Sequence, residues 1–177
     1  MLDMRHETSA FSLVELVVVI VIIGIVAAIA APRAGRSAEA AAEASIIYNL
    51  RTVRTAIELY AAEHGGVYPA ANGDGKHSAG TRKAFRDQLT LYTNEQGLAS
   101  SSLDRANFPY GPYLVSVPTA PLGPAKGDGR VRVKSAGTPL SGNTTPGRAW
   151  KFDDVTGEFI FNYNGVSSDG VTKYEEW

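Results

Sequence analysis

The sequence predicts an α+β chain in which a long N-terminal helix, apolar in its first half and amphipathic in its second, packs on a small antiparallel β-sheet. Three observations support this class. Residues 11–31 are almost entirely apolar, and residues 46–60 repeat apolar side chains at helical spacing. Residues 65–177 hold 16 of the 18 glycines and 8 of the 9 prolines, which indicates many turns.

Composition excludes several classes of protein. The length of 177 residues suits one domain, and the net charge of −1 gives no strong field toward a polyanion such as nucleic acid. Cysteine is absent, which excludes disulfides, thiolate nucleophiles and cysteine metal sites. The apolar run argues against an ordinary globular protein that is soluble throughout.

The apolar run of residues 11–31 has only two polar members, Ser12 and Glu15. Its 21 residues match the length of about 20 that a helix needs to cross a bilayer, so a transmembrane helix is predicted here. Three interpretations compete: a cleaved secretory signal peptide, a plain signal anchor, and a membrane segment whose carboxylate has a function. The third follows from the cost of placing an ionised side chain in a membrane.

Glu15 has no Lys or Arg nearby in the sequence to pair with. Cleavage between Ala10 and Phe11 would supply a partner, because the new α-amine of Phe11 is a cation near neutral pH. That amine would lie about 6 Å from Glu15 along the helix axis. The carboxylate could neutralise the amine of its own chain or of a neighbour, and thereby set the register between subunits.

Residues 10–16 read Ala-Phe-Ser-Leu-Val-Glu-Leu and resemble the prepilin cleavage and methylation motif. That motif, normally Gly followed by Phe-Thr-Leu-Val-Glu-Leu, marks type IV pilins and the pseudopilins of type II secretion. The resemblance implies that residues 1–10 are a leader. It also implies that a prepilin peptidase cuts between Ala10 and Phe11 and methylates the amine of Phe11. The chain would be the substrate of that enzyme and not itself an enzyme.

Gly24 and Pro32 fall where many pilins carry residues that weaken the helix, and a proline inside a helix removes one hydrogen bond. The resemblance further implies partners: copies of the chain, other pilin-like subunits, an inner-membrane platform protein and an assembly ATPase. It implies a single pass through the bacterial inner membrane, with the head in the periplasm before assembly into an extracytoplasmic filament.

Residues 32–64 are expected to continue the same helix as far as about Glu63. An apolar stripe at spacings of three and four residues consists of Ile46, Leu50, Val53, Ile57 and Tyr60. The pair Gly65-Gly66 then ends the helix. Such a stripe needs a covering layer from the remainder of the chain.

Residues 65–177 are expected to form that layer, a head with a short helix and three or four antiparallel strands. The helix is predicted over residues 81–92, and strands are predicted over residues 113–117, 130–134, 150–152 and 158–163. The last two flank a turn at residues 153–157 and should form a hairpin. Its alternating aromatic residues are expected in the core: Trp150, Phe152, Phe159 and Phe161.

No catalytic residue is predicted, and His6, His64 and His77 lack the spacing of a zinc hydrolase. No cofactor is expected, although Asp153, Asp154 and Asp169 are weak calcium candidates because some major pseudopilins bind calcium in a C-terminal loop. The preferred function is a filament subunit, a secretion pseudopilin or a type IV pilin. A membrane-anchored adhesin or binding module is the alternative, and an anchored enzyme is a third that the missing motifs disfavour.

Overall fold

The computed structural model describes residues 12–177, without the side chains of residues 29–36. The chain divides into two compact units, Met1–Glu39 and Ala40–Trp177. The helices are α1 (Leu13–Glu63) and α2 (Arg82–Thr90), the strands are β1 (Tyr92–Thr93), β2 (Ala99–Ser100), β3 (Val131–Lys134), β4 (Trp150–Asp153) and β5 (Phe159–Phe161), and a 3₁₀ turn covers Tyr174–Glu176. The predicted α+β class with an N-terminal helix is confirmed.

The described part of the first unit is the beginning of α1. Its large apolar side chains from Leu13 to Val26 are all exposed, by 45–78% of their surface. Among the residues that the structure describes, no helix combines the length and the hydropathy needed to cross a membrane. The membrane-spanning helix predicted over residues 11–31 is therefore not found, and residue 11 and the side chains of residues 29–36 lie outside the description.

In the second unit, the remainder of α1 carries the predicted apolar stripe. Its five members are each at most 1% exposed: Ile46, Leu50, Val53, Ile57 and Tyr60. The helix ends where two successive glycines, Gly65 and Gly66, have φ angles of 65° and 84°. The N–H of Gly66 then donates to the carbonyl oxygen of Ala61 at 2.8 Å, which satisfies one carbonyl of the last turn.

Helix α2 begins and ends close to its predicted bounds. Thr81 precedes it, and the Thr81 hydroxyl oxygen accepts a hydrogen bond from the N–H of Ala84, as an N-cap does. Phe85 and Leu89 face the core with no exposed surface. Tyr92, which was expected to extend the helix, instead starts β1 and pairs with Ser100 of β2.

The three-stranded sheet has the order β3-β4-β5. Strands β4 and β5 form the predicted antiparallel hairpin, with Trp150 opposite Phe161 and Phe152 opposite Phe159. The four aromatic side chains are at most 1% exposed, as expected of core residues. The prediction of a wholly antiparallel sheet is wrong, because β3 pairs with β4 in parallel. The segment between β3 and β4, residues 135–149, is long enough for a crossover, whereas a tight turn would have forced antiparallel pairing.

The strand predicted over residues 113–117 does not form. The carbonyl oxygen of Leu89, at the end of α2, accepts the N–H groups of both Tyr113 and Leu114 at 2.9 Å. Leu114 is buried, but Val115 is fully exposed. The segment therefore caps α2 as a loop and sends one apolar side chain into the core.

Two charged side chains of α1 hold the C-terminal residues of the head. The Glu43 carboxylate accepts hydrogen bonds from the N–H and hydroxyl of Ser168, both at 2.6 Å, and from the hydroxyl of Tyr174 at 2.9 Å. The Arg54 guanidinium donates to the carbonyl oxygen of Trp177 at 2.6 Å. Burial acts to raise the pKa of Glu43, but its hydrogen bonds outweigh burial and lower that pKa.

Candidate functional site

The first described residues of the chain form a capping arrangement at the start of α1. The Ser12 hydroxyl oxygen accepts a hydrogen bond from the N–H of Val14 at 3.3 Å. In return, Glu15 Oε2 accepts the N–H of Ser12 at 3.2 Å. The two side chains thus satisfy backbone donors that have no partner within the helix, as in a capping box.

The capping role of Glu15 was not predicted from the sequence, where its carboxylate was paired with the amine of Phe11 in its own chain or in a neighbour. The signal was present, because Ser12 and Glu15 have the spacing of a capping box ahead of an apolar run. Ala10 and Phe11 lie outside the described residues. The described residue that Glu15 binds, Ser12, is the second residue of the chain that the predicted cleavage would create.

The helix that follows presents apolar side chains on every face. Val17 and Val19 are the least exposed of its large side chains between Leu13 and Val26, and each still has 45% of its surface exposed. A helix that is apolar all round requires a non-aqueous environment or other helices around it. A Cβ added at Gly24 would meet no atom within 4 Å, so packing within the described residues does not require a glycine there. Pro32 lies within α1, and its side chain is outside the description.

Asp153, the first calcium candidate, uses both carboxylate oxygens to organise the β4–β5 turn and the loop after β3. Its Oδ1 accepts the N–H groups of Val155 at 2.9 Å and Thr156 at 3.1 Å. Its Oδ2 accepts those of Ala136 and Gly137, both at 3.1 Å. Burial acts to raise the pKa of Asp153, but these four hydrogen bonds lower it overall.

The other two calcium candidates also bind groups of the head. Asp154 Oδ2 accepts the hydroxyl of Ser135 at 2.8 Å, and burial raises the pKa of Asp154. Asp169 Oδ1 accepts the N–H groups of Val171 and Thr172 at 2.8 Å, and the hydrogen bonds from Thr172 and neighbouring groups lower the pKa of Asp169. The calcium prediction is not tested by these contacts, which give each carboxylate a structural role.

Of the histidines in the described part of the chain, His64 lies in the core and His77 lies in a loop. The His64 ring stacks on Tyr60 with centroids 3.8 Å apart, and its Nδ1 lies 2.7 Å from the carbonyl oxygen of Tyr60. His64 is 4% exposed, which agrees with a packing role. His77 contacts two aspartates, Asp74 and Asp87, that are 1% and 6% exposed.

Among the residues that the structure describes, one group of three potential metal ligands is close enough together to share an ion: Asp74, His77 and Asp87. One ligand atom from each residue lies within 4.8 Å of the other two. Burial acts to raise the pKa of Asp74, but hydrogen bonds from His77 and from the N–H of Lys76 lower it overall, which keeps the carboxylate ionised. His77 was considered in the sequence without these two partners, because Asp87 lies on α2 and joins the group only through the fold.

Comparison with known proteins supports the assignment of the N-terminal segment. Residues 5–31 match the family model described as the prokaryotic N-terminal methylation motif. This match confirms the recognition of the motif around Ala10, Phe11 and Glu15 and supports a type IV pilin-like precursor. No curated protein and no solved structure matches the chain.

Proposed function

We propose that the chain is a structural subunit of a type IV pilus-like filament, and specifically a type II secretion pseudopilin. In this proposal a prepilin peptidase cuts the chain before Phe11 and methylates the new amine. The chain is that peptidase's substrate and has no catalytic activity of its own. Its apolar N-terminal helix then packs against the same helix of neighbouring subunits.

The observation that carries the proposal is the apolar surface at the start of α1, which lies within the matched methylation motif of residues 5–31. Every large side chain from Leu13 to Val26 is exposed, so the described residues of this chain do not bury them. A bundle of identical helices would bury all sides at once, which suits a helix without a polar face. Before assembly, lipid of the bacterial inner membrane would cover the same surface, with the head in the periplasm.

Glu15 has two successive roles in this proposal. In the described chain it accepts the N–H of Ser12, which fixes the carboxylate at the first turn of α1. After cleavage, the amine would belong to Phe11, the residue before Ser12, and consecutive Cα atoms are only about 3.8 Å apart. The carboxylate would then neutralise that amine, or the amine of a neighbouring subunit, and so set the axial register of the filament.

Mass spectrometry of the chain from its native membrane tests the processing step. We expect a mature chain that begins at N-methylated Phe11 and lacks residues 1–10. An uncut N-terminus in a host that has an active prepilin peptidase would contradict the proposal and favour the alternative of a membrane-anchored adhesin or binding module.

Three substitutions test whether the charge of Glu15 or its capping bond is needed. Glu15→Gln keeps an oxygen that caps the helix but removes the charge, whereas Glu15→Ala removes both. Glu39, an exposed glutamate of the same helix, supplies the matched control Glu39→Gln. Counting sheared filaments should show few for both Glu15 variants and a normal yield for the control. Normal filaments from Glu15→Gln would refute the charge-based register.

A further inference from the structure

Asp74, His77 and Asp87 bring three potential metal ligands together on the head from two separate segments. Asp74 and His77 lie in the loop between α1 and α2, and Asp87 lies on α2 itself. His77 Nδ1 is 2.8 Å from Asp74 Oδ2 and 3.4 Å from Asp87 Oδ2. One imidazole nitrogen therefore faces one oxygen from each of two carboxylates.

The surroundings leave these three atoms directed at each other. Asp74 Oδ1 accepts the N–H groups of Lys76 at 2.8 Å and His77 at 2.5 Å, so the other oxygen of Asp74 is the one that faces the imidazole. Asp87 Oδ1 binds the Arg86 guanidinium at 2.6 Å, so its Oδ2 likewise faces His77. Both aspartates are more than nine-tenths buried. Like charges this close repel each other, so positive charge between the two carboxylates would stabilise both in the ionised form.

A second turn in the head, at Asp104–Asn107, has hydrogen bonds similar to those in the loop of Asp74 and His77, without a partner such as Asp87 among the described residues. Asp104 Oδ1 accepts the N–H groups of Ala106 and Asn107, two and three residues ahead, as Asp74 Oδ1 does with its own loop. There an Asn107 amide, at the position that corresponds to His77, donates to Asp104 Oδ2 at 2.7 Å. The turn alone therefore needs no histidine.

The ligand types and distances fit a transition metal of the zinc class. Zinc binds imidazole nitrogen and carboxylate oxygen at about 2.0–2.2 Å, which places tetrahedral ligand atoms about 3.3–3.6 Å from one another. The 3.4 Å separation of His77 Nδ1 and Asp87 Oδ2 already has this value, and the 2.8 Å separation from Asp74 Oδ2 needs a small expansion. Calcium prefers six or more oxygen ligands, which this group does not offer.

We propose that Asp74 Oδ2, His77 Nδ1 and Asp87 Oδ2 bind a divalent zinc-class cation, with water in the fourth position. His77 coordinates as the neutral imidazole, with its proton on Nε2. The cation neutralises the two buried carboxylates and links the loop after α1 to α2. In a chain without cysteine, this link stabilises the head where a disulfide is not available.

Titration calorimetry on the full chain in detergent, after treatment with a chelator, tests the site. We expect one equivalent of Zn²⁺ to bind and to raise the unfolding temperature of the head. Co²⁺ in place of Zn²⁺ should give the visible absorption of a four-coordinate ion. Ca²⁺ should neither bind at this site nor displace Zn²⁺.

The key variant is His77→Asn, because it converts the loop to the sequence type of the Asp104 turn and keeps an amide that can donate to Asp74. We expect it to fold, by circular dichroism, and to bind Zn²⁺ more than about 100-fold more weakly than the natural chain. Asp87→Asn should weaken binding to a similar extent from the other segment. Asp104→Asn, in the matched turn, should leave the affinity for Zn²⁺ unchanged.

Two results would overturn the proposal. One is a natural chain that binds no zinc, in which case His77 only bridges the two carboxylates by hydrogen bonds. The other is an affinity for Zn²⁺ in His77→Asn and Asp87→Asn equal to that of the natural chain, which would place the ion elsewhere. Neither result bears on cleavage before Phe11 or on filament assembly, which are measured separately.

Discussion

The two parts of α1 differ in what surrounds their apolar side chains. Between Leu13 and Val26 all the large ones are exposed, whereas Leu50 and its companions in the stripe are at most 1% exposed within the second unit. Burying apolar surface is the main stabilising contribution to folding, so the buried stripe stabilises the second unit, whereas the large apolar side chains of the first unit contribute much less. The comparison indicates that the head is stabilised within one chain, whereas in the proposed filament neighbouring subunits would cover the first part of α1.

The largest effect on the head is expected from removing its central side chain. Trp150 has no exposed surface, packs against Phe159 and Phe161 with centroids 5.4 and 5.3 Å away, and donates from Nε1 to the carbonyl oxygen of Pro118 at 2.8 Å. Trp150→Ala should lower the free energy of unfolding of the head by about 3–5 kcal/mol. Calorimetric unfolding of the full chain in detergent measures this. Val115→Ala, at a fully exposed position, is the control and should change little.

A smaller effect is expected at Glu43, which is buried but hydrogen-bonded to the C-terminal segment. Glu43→Gln keeps the shape and loses the charge that strengthens three hydrogen bonds. The free energy of unfolding near neutral pH should fall by about 1–3 kcal/mol. Glu39→Gln, at an exposed position, should leave it unchanged. An equal loss in both variants would show that the hydrogen bonds of Glu43 add no stability.

Lowering the pH should remove the contribution of the Glu43 carboxylate to the stability of the head. The pKa of Glu43 is lower in the folded chain, so its stabilising effect is complete above the unfolded value of about 4.3 and is lost as the pH falls through the folded value. Asp74 and Asp153 act in the same direction, whereas the raised pKa of Asp154 gives an opposite contribution that is relieved by acid. The head should lose stability between about pH 5 and about pH 2, with Glu43→Gln and the natural chain converging. A constant difference between them across this range would contradict the assignment.

Periodicity was enough to predict the stripe on α1, the start of α2 and the β4–β5 hairpin, because each depends on neighbours in the sequence. The parallel pairing of β3 with β4 was not predictable in this way, because it depends on the path of residues 135–149. Residues 113–117 have strand-like composition, but the end of α2 uses their N–H groups as a cap. In both cases contacts outside the local sequence pattern determined the structure.

The two candidate sites also differ in how far their residues are apart in the sequence. The motif at Ala10, Phe11 and Glu15 is contiguous, so the sequence was sufficient to recognise it, and the family match confirms it. The capping bond of Glu15 was also readable from spacing. The group around His77 was not, because Asp87 joins it only when α2 folds against the preceding loop.

The smallest effect on stability is expected at Leu16, and the same substitution made at Leu50 and at Leu16 gives the sharpest test of the comparison. Leu50 is 1% exposed, and Leu50→Ala should lower the free energy of unfolding by about 2–5 kcal/mol. Leu16 is 58% exposed, and Leu16→Ala should change it by less than about 0.5 kcal/mol. In the proposed filament, Leu16 matters for assembly although it adds little to folding. Leu16→Ala should therefore reduce the yield of sheared filaments, although its head unfolds normally. Normal assembly of Leu16→Ala would mean that this part of the apolar surface does not form the subunit contact.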